Sequence, residues 1–404
     1  MRSWKAGFVV VAAFASACGS SDAIGDPAAV IDPCAASIRL APADVRSGKA
    51  LPPRTCWDAT GDLVVQDGTL AIGEGVTIRF AQGSRLRTSG AGRLKAIGTA
   101  SNPVVLRGSD DKRGAWVGVG FESDASDNRL ENVEVIGAGA SAWTGDGDTR
   151  AAVYVGRQGG AGLVNVLASK SDWYGLYLHG EDSRAEPMAG LRVADSARIA
   201  RVHAQAARQL AGDERFERND ESRVRLGTGG TDFIVRAGTW RRLAVPWLVV
   251  SKVHVRAAIT VQAGASFRFT EDARITVDAR DGNAGSFAAV GTPDARIEFV
   301  GDGEVPGAWA GVGFDTGSTQ NRLAYATVRF GGRDAWTGNP LSKAAVFVGE
   351  KARLALETVT IASSSARGIH LYGNESVVSC AGVTFEAIAG SKVGRGDSNL
   401  DACP

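Results

Sequence analysis

Histidine is scarce in this 404-residue chain, with four copies, and the five cysteines include no Cys-x-x-Cys pair. Ligands so few and so scattered give a zinc site no support. The 12 prolines and 52 glycines follow no three-residue period, which excludes a collagen helix, and 44% hydrophobic residues are too many for a disordered chain. Neither charge is in excess: 45 Lys and Arg against 44 Asp and Glu leave a net charge of +1, so the electrostatic footprint of nucleic-acid binding is missing. Gly-x-Ser-x-Gly, His-Glu-x-x-His and P-loop motifs are all absent. No cofactor is expected.

The longest leader-like apolar run, Ala6 to Ala17, is well short of the roughly 20 residues of a membrane span. With Arg2 and Lys5 before it and Ala15-Ser16-Ala17 at its end, it reads as a signal peptide over residues 1–17. Cys18 follows at once, then Gly19-Ser20-Ser21, and the junction resembles a bacterial lipobox in which Ala15 replaces the usual large aliphatic residue. The resemblance implies lipidation of Cys18 and a membrane partner reached through that lipid. Gly19 is not the Asp associated with inner-membrane retention, so the expected address is the outer membrane or cell surface. Residues 18–56 are then a tether and N-terminal cap. Cys34, Cys56, Cys380 and Cys403 remain and allow three connectivities, of which Cys34 with Cys56 and Cys380 with Cys403 staples each end without closing a loop across the molecule.

Residues 114–183 laid without gaps on residues 307–376 give about 28 identities in 70 positions, so the chain contains an internal duplication at an offset of 193. Gly114-Ala115-Trp116 returns as Gly307-Ala308-Trp309, and Trp143-Thr144-Gly145 as Trp336-Thr337-Gly338. We place the first unit at residues 57–226 and the second, with a C-terminal cap, at residues 227–404. Within each unit, short period-two segments such as Thr77-Ile78-Arg79-Phe80 and Arg85-Leu86-Arg87 lie between Gly, Ser, Asn and Asp. No Asn-Gly or Asp-Gly hairpin turn recurs at matching positions. Strands joined by variable bends suit a single-stranded parallel β-helix, an all-β solenoid in which each coil buries its apolar face on the next. At roughly 20 to 25 residues per coil, the 193-residue unit should hold about eight.

The order Thr239-Trp240, Val245-Pro246-Trp247, Ile259-Thr260-Val261, Ala263-Gly264, Phe267-Arg268-Phe269, Gly291-Thr292-Pro293 and Gly307-Ala308-Trp309-Ala310-Gly311-Val312 resembles exported bacterial right-handed parallel β-helix proteins of the pectate-lyase-like and lipoprotein type. The resemblance implies a right-handed coil over most of residues 57 to 390. It leaves function open, because such coils carry pectin-cleaving enzymes, adhesins and lipoproteins alike.

Candidate contacts come from comparing the copies. Tyr177 and His179 in the first unit answer His370 and Tyr372 in the second, the same pair in swapped order, on the side of the strand opposite Leu176 and Leu178. Trp143 and Trp336 sit in Gly-flanked loops, where an indole can serve a sugar ring as a flat platform. These six form the expected polysaccharide-contacting set, on one face of the solenoid and in duplicate. Trp116, Trp309, Tyr154 and Phe347 read as packing residues. Asp146-Gly147-Asp148 is short of acids for calcium, since its second copy is Asn339-Pro340-Leu341. Asn128 and Asn321 are expected in left-handed turns, the alternating charges of Asp213 to Arg223 in a solvated turn, and Ile199 to Leu210 in coil strands despite a helical rhythm. The leading expectation is a non-catalytic, lipid-anchored envelope scaffold or binding protein. A lyase or glycoside hydrolase acting on uronic-acid polymers is the alternative, for which Asp110-Asp111 is the nearest acid pair.

Overall fold

Alternation decides the local structure. In the strand Thr77–Phe80, Ile78 and Phe80 are fully buried while Thr77 and Arg79 are half-buried. The strands Arg85–Thr88 and Arg274–Val277 repeat that pattern. Such segments cannot cover their own apolar face, so each stacks in parallel on its counterpart one coil later. The computed structural model describes residues 34–280, 283–400 and 403, and most of their 39 strands assemble into a parallel β-helix, the exceptions being a two-stranded antiparallel hairpin of Ala279–Arg280 with Asn283–Ala284 and the antiparallel last strand. The expected signal peptide and Cys18 lie outside the described residues.

One ladder runs the length of the molecule. Leu63, Leu86, Val119, Val153, Leu176, Ala200, Val224, Trp247, Phe267, Phe299, Val328, Ile361 and Phe385 pair rung on rung. The stack crosses the boundary between the copies without interruption, and its inward side chains belong to one continuous core. Its middle is aromatic: Trp247 stacks on Phe267 at 6.4 Å and Phe267 on Phe299 at 5.4 Å. Each such ring, fully buried, contributes roughly 1.5 to 3 kcal/mol.

This ladder also shows how the duplication is set in space. Val119, Val153 and Leu176 belong to it, but their counterparts Val312, Val346 and Ile369 form a separate ladder with Asp232, Val253, Ile275 and Val393. Val119 lies seven rungs before Phe299, and Val312 is on the strand that follows Phe299 along the chain. The 193-residue unit therefore spans seven coils and one further face, not eight. Equivalent residues sit about 35 Å apart along the axis, at roughly 4.8 Å per coil, and on adjacent faces of the solenoid.

Both ends are closed. Cys34 is bonded to Cys56 and Cys380 to Cys403, as expected. At the C-terminal end Ser398–Leu400 turns back antiparallel on Val393–Arg395, which covers an edge that would otherwise template aggregation.

Three local expectations are corrected. The helical rhythm after Ile199 is genuine: the strand Arg198–Val202 gives way to a 3-10 helix over Ala204–Gln209, whose Ala204, Ala206 and Ala207 are buried where a coil strand would lie. The charged run is no simple solvated turn, because Arg215–Glu217 and Glu221–Leu226 are strands and Glu214 is buried, accepting the backbone N–H groups of Ala211 and Gly212. Asn128 and Asn321 are buried cross-links rather than left-handed turn residues. Asn128 accepts from Leu94 N–H at 2.8 Å and donates to Gly160 C=O at 2.9 Å, joining three coils, and Asn321 accepts from Phe287 N–H.

Candidate functional site

On the face carrying Val119, Val153 and Leu176, the outward residues in register are Gly120, Tyr154 and Tyr177. The loop that precedes Ala151–Val155 folds back over them. A Cβ at Gly120 would stand 2.4 Å from the Trp143 ring, so only glycine leaves room for the indole. Trp143 then donates its Nε1–H to Ala151 C=O at 3.0 Å and stacks on Tyr154 at 5.3 Å. With Val117, Ala151, Tyr174 and Tyr177 it makes a small second apolar layer outside the coil. The second copy rebuilds it: Trp336 lies over Gly313, donates to Ala344 C=O and stacks on Phe347 at 5.4 Å. The exposed-platform expectation for Trp143 is thus corrected, since the indole is 6% exposed and clamps the layer. Trp336 is half-buried, His370 is buried and Tyr372 is exposed.

Beside this layer the first copy opens a groove of about 1100 Å³. Its walls come from the ends of five successive rungs: Glu122 after Phe121, Arg157 after Val155, His179 after Leu178, His203 after Val202, and the Thr228–Thr231 loop after Leu226. Five rungs give about 19 Å of length along the solenoid axis. Thr144 and Asp146 of the folded-back loop form one bank, and Phe233 lies at the other.

Charge and hydrogen bonding in the groove are unevenly satisfied. The Tyr154 hydroxyl and His179 Nδ1 are 2.6 Å apart. Burial raises the tyrosine pKa and, with Arg157 nearby, lowers that of the histidine, so the pair is a neutral phenol hydrogen-bonded to a neutral imidazole. His203 is likewise held neutral by burial, its Nδ1 accepting Gln205 N–H at 3.2 Å. Glu122 is paired with Arg87 and Asp182 with Arg236. Asp146, Glu181 and Arg157 are exposed and carry no ion pair among the described residues. Tyr177 is 2% exposed and lines the groove, and its hydroxyl has no hydrogen-bond partner among the described residues. The hydroxyl oxygen is not among the buried atoms left without a partner, so it meets solvent in the groove and is open to a ligand's hydrogen bond.

The second copy keeps the scaffold and changes the chemistry. Tyr154 becomes Phe347, Tyr177 becomes His370, His179 becomes Tyr372, Arg157 becomes Glu350, and His203 becomes Gly396. Tyr177 with His179 and His370 with Tyr372 lie on adjacent faces, so the expectation of one shared binding face is corrected. Asp148, half of the weak calcium motif, is ion-paired with Arg198 and Arg201, and no group of three or more metal-binding side chains occurs among the described residues. Asp110 and Asp111 are paired with Lys112, Arg107 and Lys170 on the surface. Sequence reasoning singled out Tyr177 and His179 but missed Arg157, Glu181 and His203. Their only sequence signal was that each directly or shortly follows an aliphatic strand end. Comparison with protein-family models, curated proteins and solved structures returned no match.

Proposed function

We infer that this chain is a non-catalytic glycan-binding β-helix protein of the bacterial envelope, held to a membrane by a lipid on Cys18, with one binding groove in its first copy. The unpartnered Tyr177 hydroxyl carries this reading: a phenol that is buried except toward an open groove, beside the His179 imidazole, offers hydrogen bonds that a sugar hydroxyl can complete. The groove follows the solenoid axis, which favours an extended polymer over a compact small molecule. The leader pattern of Arg2, Lys5 and Ala6 to Cys18 supports the address.

Cleavage of uronic-acid polymers is less well supported. Proton abstraction beside a carboxylate needs a base facing the substrate, whereas Nδ1 of His179 is engaged by the Tyr154 hydroxyl. Binding of the mature protein to a glycan array, followed by calorimetry on the best ligand, tests the reading. Tyr177→Phe and His179→Phe should each weaken binding about 5- to 10-fold, the loss of one hydrogen bond. Undiminished binding by the double variant, or no glycan bound at all, refutes it.

A further inference from the structure

The loop bearing Asp146 is built twice, and the two versions differ in charge alone at one position. In the first copy Asp146 caps the 3-10 turn Gly147–Thr149 by accepting Asp148 N–H at 3.0 Å, while its own N–H donates to Thr144 Oγ1 at 3.2 Å. In the second copy Asn339 does the same work, accepting Leu341 N–H at 2.9 Å and donating to Thr337 Oγ1 at 3.2 Å. Asparagine therefore suffices for the cap. The carboxylate in the first copy is surplus to the loop, has no ion pair, and lines the groove.

Its field reaches the groove floor. Burial first, then Tyr174, Asp146, Tyr154 and the buried Asp232, disfavour a negative charge on the Tyr177 phenol, while the Arg201 guanidinium that lies 5.7 Å from its ring is already paired with Asp148. Asp146 acts on His179 as well. An unpartnered phenol oxygen beside an unpaired carboxylate and over aromatic rings suits a cation that donates hydrogen bonds. Glu181 places a second unpaired carboxylate farther along the same groove, against one unpaired guanidinium, Arg157.

Resting on the glycan-binding reading, we propose that the groove selects polymers carrying primary amines, such as de-N-acetylated amino sugars, with an ammonium group seated between Asp146 and the Tyr177 hydroxyl. Uronic-acid polymers are disfavoured, because their carboxylates would meet acids at two of the three unpaired charged positions in the groove.

Calorimetry with glucosamine hexamer, N-acetylglucosamine hexamer and galacturonic acid hexamer tests this, at a pH where the free amines are charged. Wild-type protein should bind the glucosamine oligomer at least about 10-fold more tightly than its N-acetylated form, and the galacturonate oligomer most weakly. Asp146→Asn, which the second copy shows to be compatible with the loop, should reduce the preference for the amine to within about twofold. A preference that survives Asp146→Asn, or tighter binding of the galacturonate oligomer, overturns the proposal. Equal binding of both amino-sugar oligomers that weakens in Tyr177→Phe overturns it while leaving the glycan reading intact. If none of the three binds and the glycan array is also blank, both fall.

Discussion

Lowering the pH should loosen the C-terminal coils before the rest of the solenoid, through one histidine. His370 is buried on the strand Arg367–Leu371, and Arg367 donates Nη1–H to its Nδ1 at 2.8 Å. The same guanidinium donates to Gly396 C=O at 2.6 Å, holding the capping hairpin. Guanidinium has no lone pair to offer, so Nδ1 must accept, and a proton added there would face a fixed cation. Burial, then Arg367, pushes the His370 pKa down to about 4. A depressed folded pKa means that the unfolded chain binds more protons between pH 6.5 and about 4. Stability from this group is full above that window, falls as pH drops through it, and is gone below it. The displacement corresponds to about 3 kcal/mol at most, and about 2 kcal/mol after allowing for solvent screening near the chain end. Because repeat folds transmit stability mainly between neighbouring coils, the effect should stay local. Hydrogen exchange over residues 393–400 should accelerate between pH 7 and pH 4 by about 30-fold beyond the intrinsic change, while residues 69–80, on coils without a histidine, stay protected. In His370→Asn the amide oxygen still accepts from Arg367 but does not titrate, so this excess acceleration should vanish even though lost stacking on Phe347 lowers overall stability. Parallel pH profiles in wild type and His370→Asn would refute the reasoning.

Three further outcomes are expected. Gly120→Ala should cost about 1 to 3 kcal/mol in denaturant unfolding and shift Trp143 fluorescence, because the new Cβ meets the indole at 2.4 Å, whereas Gly145→Ala, with nothing within 4 Å, should be close to neutral. Replacing Cys34 and Cys56 together by Ser should cost roughly 2 to 4 kcal/mol, and non-reducing peptide mapping of the wild type should recover Cys34 with Cys56 and Cys380 with Cys403. Metabolic labelling with a palmitate analogue should be lost in Cys18→Ser, and equal labelling of that variant would remove the lipid anchor from the reading.

The coil architecture was legible because burial on one side of a strand leaves a period-two imprint, and because Gly114 to Val119 recurs nearly unchanged as Gly307 to Val312. The disulfide pairing was legible because both pairs lie within single coils near the ends. Exposure outside the coil was not. Tyr177, Tyr154 and Trp143 occupy outward or loop positions, and in an isolated strand all three would face water. They are covered only because Gly120 lets the loop fold down on them. One missing Cβ thus decides whether Trp143 is a platform or a clamp, and a Gly-rich sequence does not single out that glycine. The groove was illegible for a similar reason: Glu122, Arg157, His179 and His203 are spread over 82 residues and meet only because each follows a strand end on the same face.

The orientation of the two copies depends on arithmetic that residue numbers conceal. An offset of 193 says nothing about faces until the strand segments within it are placed on their ladders, and insertions change the residue count without changing the face. Val119 and Val153 are 34 residues apart and Leu176 and Ala200 only 24, yet both pairs are successive rungs. Seven coils and one face make the repeat incommensurate with the solenoid, so two identical sites would have pointed in different directions and could not have engaged one straight polymer together. Tolerance of change in the second copy follows from that geometry. Phe347 needs no hydroxyl where His370 stacks on its ring and takes its hydrogen bond from Arg367, Asn339 needs no charge where the loop alone must be capped, and His370 serves the C-terminal cap through Arg367. The duplication supplied length and a closed end, and the polar groups to which we assign ligand recognition lie on the one face where the groove formed.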